Sequence, residues 1–329
     1  MDAGSWGSCS SPKSYSNLAN GSHTFDVRAT DAAGNTDASP ASRTWTVNVT
    51  PTGGNNCIAD PSVCGFPDVE TVGVTPGTTL TPVNGNVTLS TPGQVYENKL
   101  VTGSITVTAP DVTIRNVKIV MTDFYGIRAR TVDPSNVRNL LVVDSEIDMG
   151  GQYGNNGIAF NHYTARRVFF HNGSDCTSMG DTPVTDDQVI IEDSLCTIGP
   201  DTNSDGLPDS KTFCQGSSAH FDGFQSDGGW NLTIRHNTIR NPCSQTSAII
   251  ISSNTSPIHN VTIQDNLMAG GGWTVYCNAG PDVPNETVTG NRISRTYYPQ
   301  GGYYGPFAGC DDADVFTGNV WDDTGAPAS

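Results

Sequence analysis

One pattern recurs along most of this chain: a short run of β-branched residues, a polar Asn or Asp, then another apolar residue. Its copies read VTIRNVKI at 112–119, LLVVDSEI at 140–147, VIIEDSL at 189–195, LTIRHNTI at 232–239, VTIQDNLM at 261–268 and ETVTGNRI at 286–293. VFFHNG at 168–173 and DVFTGNVW at 314–321 are weaker members. The copies alternate with period two, as half-buried strands do, and lack the 3.6 periodicity of helices. They return every ~21–29 residues, with one wider gap, which is the spacing of solenoid coils. No single copy can bury its own apolar face, so the core must come from stacking one coil on the next. The Asn after each run is then placed to form an internal ladder, its amide bonding from coil to coil.

The charge balance narrows the partners. Among 329 residues there are 16 Lys and Arg against 33 Asp and Glu, a formal net charge of −17. Nucleic acid is an improbable partner for such a chain, because phosphate contacts need Lys and Arg. No stretch is apolar enough to span a membrane. The nine Cys lack CxxC metal spacing and point to disulfides in an oxidising compartment, hence to a secreted protein. The opening MDAGSWGSCSSPK carries no apolar leader segment and reads as the start of a mature fragment. Pairings expected from spacing are Cys57–Cys64, Cys196–Cys214 and Cys277–Cys310, leaving Cys176 with Cys243.

Three regions are expected: 1–50, a few β-strands; 51–64, a Pro/Gly/Asn-rich linker; and 65–329, the solenoid. Within the first, HTFDVRATDAAGNTD followed by TWTV resembles the C-terminal part of bacterial immunoglobulin-like domains beside cell-surface enzymes. That resemblance implies a sandwich lacking its earlier strands, with Cys9 deprived of a partner. Open sheet edges would permit self-association.

Two stretches carry candidate chemistry. DTNSDGLPD places oxygen donors at alternate positions, Asp201, Asn203 and Asp205, then Gly206 for a sharp turn, the Leu207 carbonyl and Asp209. Calcium takes six to eight oxygens in flexible geometry, so Ca2+ is the expected cofactor, stiffening the insertion in the wide gap. The loop is similar to thrombospondin type 3 calcium loops and to the first nine positions of an EF-hand, although Thr212 stands where an EF-hand has Glu.

The second stretch is HFDGFQSD, His220–Asp227. Aligning the segment before each copy sets YGIRAR (125–130), NGIAFNH (156–162), DGFQSD (222–227), AIIISS (248–253) and TVYCN (274–278) side by side as rungs of one sheet. Ile127, Ile158, Phe224, Ile250 and Val275 should then point inward. Alternation sends Arg128, Arg130, Asn161, Gln225, Asp227, Tyr276 and Asn278 outward, with His162, His220 and Asp222 at the strand ends. The bland alternative is that an exposed sheet face is polar anyway, and that Asp222 bonds its own turn.

GFPDVETVGVTPGTTLTP (65–82), DGFQ with NLTIRHNTI, and TGNVWDDTG (317–325) resemble the right-handed parallel β-helix proteins of secreted bacterial polysaccharide lyases and hydrolases. The resemblance covers about four fifths of the chain. It implies an all-β fold, a right-handed parallel β-helix behind the partial immunoglobulin-like segment, acting on an extracellular polysaccharide. The candidate catalytic residues are Arg128, His162, His220, Asp222 and Asp227, with Arg130, Asn161, Gln225, Tyr276 and Asn278 as candidates for holding substrate; of these, Arg128, Arg130, His162, His220 and Tyr276 supply the types a lyase needs to neutralise a uronate, take a proton and return one. A hydrolase would need two carboxyls, for which Asp222 and Asp227 are candidates, with Asp175, Asp181, Asp186 and Asp187 near them in sequence. The outward arginines tilt the expectation to β-elimination on a uronate polymer. A non-catalytic adhesin or filament subunit is the competing class.

Overall fold

The computed structural model describes residues 6–7, 13, 21–31, 33–37, 39–47, 56–129, 137–151, 153–180, 188–214, 220–277 and 283–329. The chain divides into two units, Met1–Pro51 and Thr52–Ser329. In the first, strands Gly21–Val27 and Ala41–Val47 form an antiparallel hairpin. Asp31 organises its connection by accepting the Ala33 and Asn35 amides, both at 2.9 Å. Cys9 lies outside the described residues.

The second unit is an all-β stack of coils with two long parallel sheets, one of fifteen strands and one of nine. The long sheet is bent into two arms. At the bend, one residue per coil takes left-handed φ: Asn98, Asn116, Asp144, Arg167, Asp193, His236, Asp265, Gly290 and Gly318, all between 49° and 70°. Strand register stacks these nine in one row. The sequence supplies mostly Asn, Asp and Gly there, the residues that tolerate this conformation at least cost. Arg167 and His236 are held by carboxylates of the preceding coil, Asp144 at 2.6 Å and Asp193 at 2.7 Å.

A sharp bend takes the next amide out of the strand ladder, and a buried N–H needs a partner. The following coil provides it. Ser194 N–H donates to Asn237 Oδ1, Asn237 N–H to Asn266 Oδ1, and Asn266 N–H to Asn291 Oδ1, each at 3.0 Å; Asn291 N–H donates to Asn319 Oδ1 at 3.1 Å. Earlier coils use serine in the same place, Val117 N–H to Ser145 Oγ and Val168 N–H to Ser194 Oγ. The expected amide ladder is therefore present. Beside it, Ile114, Val142, Ala165, Ile191, Ile234, Ile263 and Val288 form a fully buried inward row. Each buried Ile or Val in such a row is worth about 1.5–3 kcal/mol.

The wide gap between coils holds the 199–214 insertion, and here the expected disulfides change. Cys176 pairs with Cys196 across one coil, and Cys214 with Cys243. The expected Cys196–Cys214 and Cys176–Cys243 bonds are not formed. Cys176 lies on a rung, Asp175–Met179, that lines the same core as Cys196. Cys57–Cys64 and Cys277–Cys310 are as expected.

The described part of the expected linker is also more than a spacer. Ile58 N–H donates to Asp322 in the last coil, and the Ile58 carbonyl accepts from Arg240. Farther along, the Gly65 carbonyl meets His236, Gly73 N–H reaches the Arg167 carbonyl, and Thr75 N–H reaches Asn116. Residues 56–75 thus form a strap over the bend that crosses the coils in reverse order, from the last back to the one that holds Asn116. Among the described residues, no helix is long and apolar enough to cross a membrane.

Candidate functional site

The nine-stranded sheet carries the predicted strip. Its rungs run Tyr125–Ala129, Asn156–Phe160, Asp175–Met179, Phe224–Ser226, Ser247–Ile251, Trp273–Tyr276 and Gly305–Ala308, after two earlier ones. The rung Asp175–Met179 sits between Asn156–Phe160 and Phe224–Ser226, where the sequence alignment had none. The inward row is Ile127, Ile158, Thr177, Phe224, Ile249 and Val275, all fully buried. Ile249, not Ile250, belongs to it, so the predicted register was one residue off at that rung. The next row along the strands is Arg128, Ala159, Ser178, Gln225, Ile250 and Tyr276.

Arg128, Gln225 and Tyr276 therefore share one row, but they do not cluster. At ~4.8 Å per neighbouring strand, Arg128 stands about 14 Å from Gln225 and about 24 Å from Tyr276 along the stack. The Arg128 guanidinium lies over Tyr125 and Phe160, 5.9 and 5.7 Å from the ring centres. Asn161 does not face outward: it is buried, and its Oδ1 accepts the Gly180 amide at 3.0 Å. Phe160 and His162 both take left-handed φ, 79° and 64°, which breaks strand alternation before Asn161 would reach the surface. His162 is buried at that corner, its carbonyl accepting from Leu140. Arg130 and Asn278 lie outside the described residues, as do Asp181, Asp186 and Asp187.

What does gather is a group of carboxyls. Asp222 is fully buried; its Oδ2 accepts from the Thr246 hydroxyl and its Oδ1 from the Ser247 amide, both at 2.9 Å. The Asp222 amide in turn donates to Asp175 Oδ1 at 2.9 Å. The two acids occupy the same register position on adjacent rungs, each accepting the amide of the rung that follows. Burial pushes Asp222 up to about 7, against the pull of Thr246 and Ser247. Asp175 is raised well above the carboxylate range, by burial first and then by the charges of Asp222 and Asp227.

Asp227, just past the Phe224–Ser226 rung, is half-buried. It takes hydrogen bonds from Gln225 Nε2 at 3.2 Å and Asn254 Nδ2 at 3.3 Å. Burial raises it, opposed by those bonds and by the charge of His220, which is exposed on the segment leading into the same rung. A carboxyl that keeps its proton near neutrality can donate it, and one that loses it can accept one. Asp175 is the member that sequence reasoning placed only by proximity. Its rung reads DCTSM, without the apolar alternation that marks the others.

In the Asp201–Asp209 loop, the carboxylates organise their own turn. Asp201 is buried and accepts the Asp205 and Gly206 amides at 3.0 and 3.1 Å. Asp205 Oδ1 accepts the Leu207 amide, and Asp209 Oδ2 accepts from Thr202 N–H and hydroxyl. Asn203 Nδ2 donates to Asp205. Among the described residues, no three Asp, Glu, His or Cys side chains converge as a metal-binding group. Each carboxylate oxygen has a second lone pair, so the donor chemistry suits a hard cation, while the loop is held by its own hydrogen bonds.

Comparison of the chain with family models, with curated proteins and with solved structures finds no match in any of the three, so no family is assigned to it.

Proposed function

We propose that this protein is a secreted polysaccharide-cleaving enzyme whose nine-stranded sheet lies against the glycan, and that cleavage is acid–base hydrolysis at Asp175, Asp222 and Asp227. The observation that carries the reading is the hydrogen-bonded succession of Asp175 and Asp222 at one register position of adjacent rungs, with Asp227 past the other end of the second rung and its charge felt by both, each acid shifted upward. Asp227, the most accessible of the three, donates its proton to the leaving glycosidic oxygen as water adds to the anomeric carbon, and the proton which that water releases returns to the carboxyl group. Burial raises all three acids, and the Asp227 charge raises Asp175 and Asp222 further, so the group holds protons to higher pH than free carboxyls do. Four disulfides are compatible with an oxidising, extracellular setting.

β-Elimination on a uronate polymer is the second reading, favoured by Arg128 on the same row. It needs a cation beside the proton-transfer group, and Arg128 stands three rungs from Gln225. Hydrolysis is therefore the better supported chemistry.

In this proposal the coils are right-handed, as crossovers between parallel strands almost always are. The N-terminal hairpin is the remnant of an immunoglobulin-like sandwich, with edges open to a second copy. Calcium at Asp201, Asn203, Asp205, Leu207 and Asp209 has a structural role only.

The test is product analysis over a panel of soluble polysaccharides. New reducing ends without unsaturated uronate, lost in Asp227→Asn, is the expected result. Unsaturated product would replace hydrolysis by elimination. Binding without any product would make the protein an adhesin.

A further inference from the structure

Among the described residues of the solenoid, every strongly exposed aromatic side chain lies on one edge of the nine-stranded sheet. These are Phe124, Tyr153, Tyr303 and Tyr304, each at least half exposed. Phe124 leads into the rung Tyr125–Ala129, Tyr153 into Asn156–Phe160, and Tyr303 and Tyr304 into Gly305–Ala308. Trp273, partly exposed, opens the rung between them and packs 6.1 Å from Tyr304. A Cβ at Gly305 would come within 2.4 Å of the Trp273 ring, so the glycine lets the indole lie close against the neighbouring rung. Tyr153 is fixed flat on Phe213, 4.6 Å between centres and 11° between planes, with its hydroxyl on the Phe213 carbonyl.

Register orders these positions. The row at this edge runs Tyr125, Asn156, Asp175, Asp222, Ser247, Trp273 and Gly305. Its ends are about 29 Å apart at ~4.8 Å per strand, and Asp175 and Asp222 fall in the middle. Exposed aromatic surface confined to one edge marks a ligand track, and aromatic rings offer apolar faces to the C–H faces of sugars. Charge selects among sugars. The segments 121–127, 153–158, 174–177, 220–224, 244–249, 271–275 and 301–307 contain no Lys or Arg, whereas Asp123, Asp175 and Asp222 are there. Arg128, one residue past the first segment, is spread over the Tyr125 and Phe160 rings at one end of the edge; along the remaining rungs a polyanion would meet no Lys or Arg.

We infer that this edge is a binding rail for an uncharged polysaccharide lying along the solenoid axis. Its sugar rings stack on Phe124 at one end and on Trp273, Tyr303 and Tyr304 at the other, which carries the middle of the chain across the rungs that hold the buried Asp175 and Asp222. The inference rests on the polysaccharide reading above and replaces the uronate substrate by a neutral one.

Affinity electrophoresis of the full chain tests it, with hydroxyethyl cellulose, galactomannan and arabinoxylan in the gel against polygalacturonate and alginate. Retardation by at least one neutral polymer is expected, weakened about twofold to thirteenfold in Phe124→Ala and in Tyr304→Ala, a range set by the ~0.5–1.5 kcal/mol of an aromatic contact. Both side chains are exposed, and an unchanged melting temperature confirms that each variant is folded. Retardation by the polyuronates alone, or neutral binding unchanged in both variants, overturns the rail and leaves the polysaccharide reading standing. Retardation by no polymer of either class overturns both.

Discussion

The amide ladder makes the most quantitative claim about this fold. Asn266 is fully buried and holds three coils together. Its Oδ1 accepts from Asn237 N–H and Nδ2, its Nδ2 donates to the Ile234 carbonyl and to Asn291 Oδ1, and its own amide donates to Asn291 Oδ1. In Asn266→Ala the last of these survives. Asn237 Nδ2 keeps the Ile191 and Arg235 carbonyls, but the Asn237 amide loses its acceptor inside the core. An orphaned buried N–H costs ~1–3 kcal/mol, and the lost bond to Ile234 with the emptied space adds about one more. The expected loss is about 3 kcal/mol. The comparison variant is Asn285→Gly, which removes an Asn from an exposed ladder, where Asn285 Nδ2 donates to Asn260 Oδ1. Glycine keeps the left-handed φ of 61° without strain, so that change should stay within ~0.5 kcal/mol. Equilibrium urea unfolding of the full chain, followed by circular dichroism, measures both. Equal midpoints for the two variants would refute the view that the bend depends on an amide supplied by the next coil.

Glu286 is buried beside Val261 of the preceding coil, and its Oε1 has no hydrogen-bond partner among the described residues. Burial, then the Asp314 charge, raises it from 4.5 to about 8. Its stabilising effect is full below pH 4.5 and is lost as pH rises through 8, at up to ~1.4 kcal/mol per pH unit, so Glu286→Gln should gain about 3 kcal/mol on the wild type at pH 7 and nothing at pH 4; parallel pH–stability curves would remove this. Excess chelator should lower the melting temperature if calcium occupies the Asp201–Asp209 loop, and Asp205→Ala should abolish that sensitivity; no shift in the wild type discards the metal. Cys214→Ser with Cys243→Ser should free the 199–214 insertion to proteolysis while leaving the circular dichroism of the coils intact.

The coils were legible because a solenoid repeats its local physics. Period-two runs, and in the later coils an Asn after each bend, are the same solution written many times. What escaped the sequence was what departs from the repeat. The rung DCTSM carries no apolar alternation, so Asp175 could not be placed on it, and the Cys pairs inferred around it were wrong. AIII is uniformly apolar, so alternation gives no means to choose Ile249 over Ile250. The segment 56–75 has linker composition, and only partners 160 or more residues away, Arg240, His236 and Asp322, make it a strap. Asn161 read as outward because its neighbours' left-handed φ is invisible in a strand alignment. The exposed aromatics were legible in principle, since FYGI and YYGP precede two rungs at the same place.

Asp222 unites the structural and chemical readings and separates them experimentally. Its visible work is to accept the Ser247 amide and the Thr246 hydroxyl. An Asn would accept the Ser247 amide at Oδ1, as along the amide ladder, and donate from Nδ2 to the Thr246 hydroxyl oxygen, without carrying charge into the core. A carboxyl there costs stability instead. With its value raised from 3.8 to about 7, the folded state favours the protonated form, so stability falls as pH rises between those values, by roughly 4 kcal/mol at pH 8. Removing its charge also relieves Asp175, which Asp222 pushes upward. A costly group where a cheaper one fits is what a functional site retains at the expense of the fold. Asp222→Asn should therefore melt higher than the wild type at pH 8, match it near pH 3.5, and have lost cleavage. A variant that melts lower at pH 8 while cleaving normally would show that the carboxyl serves the bend alone, and the acid group would then rest on Asp227.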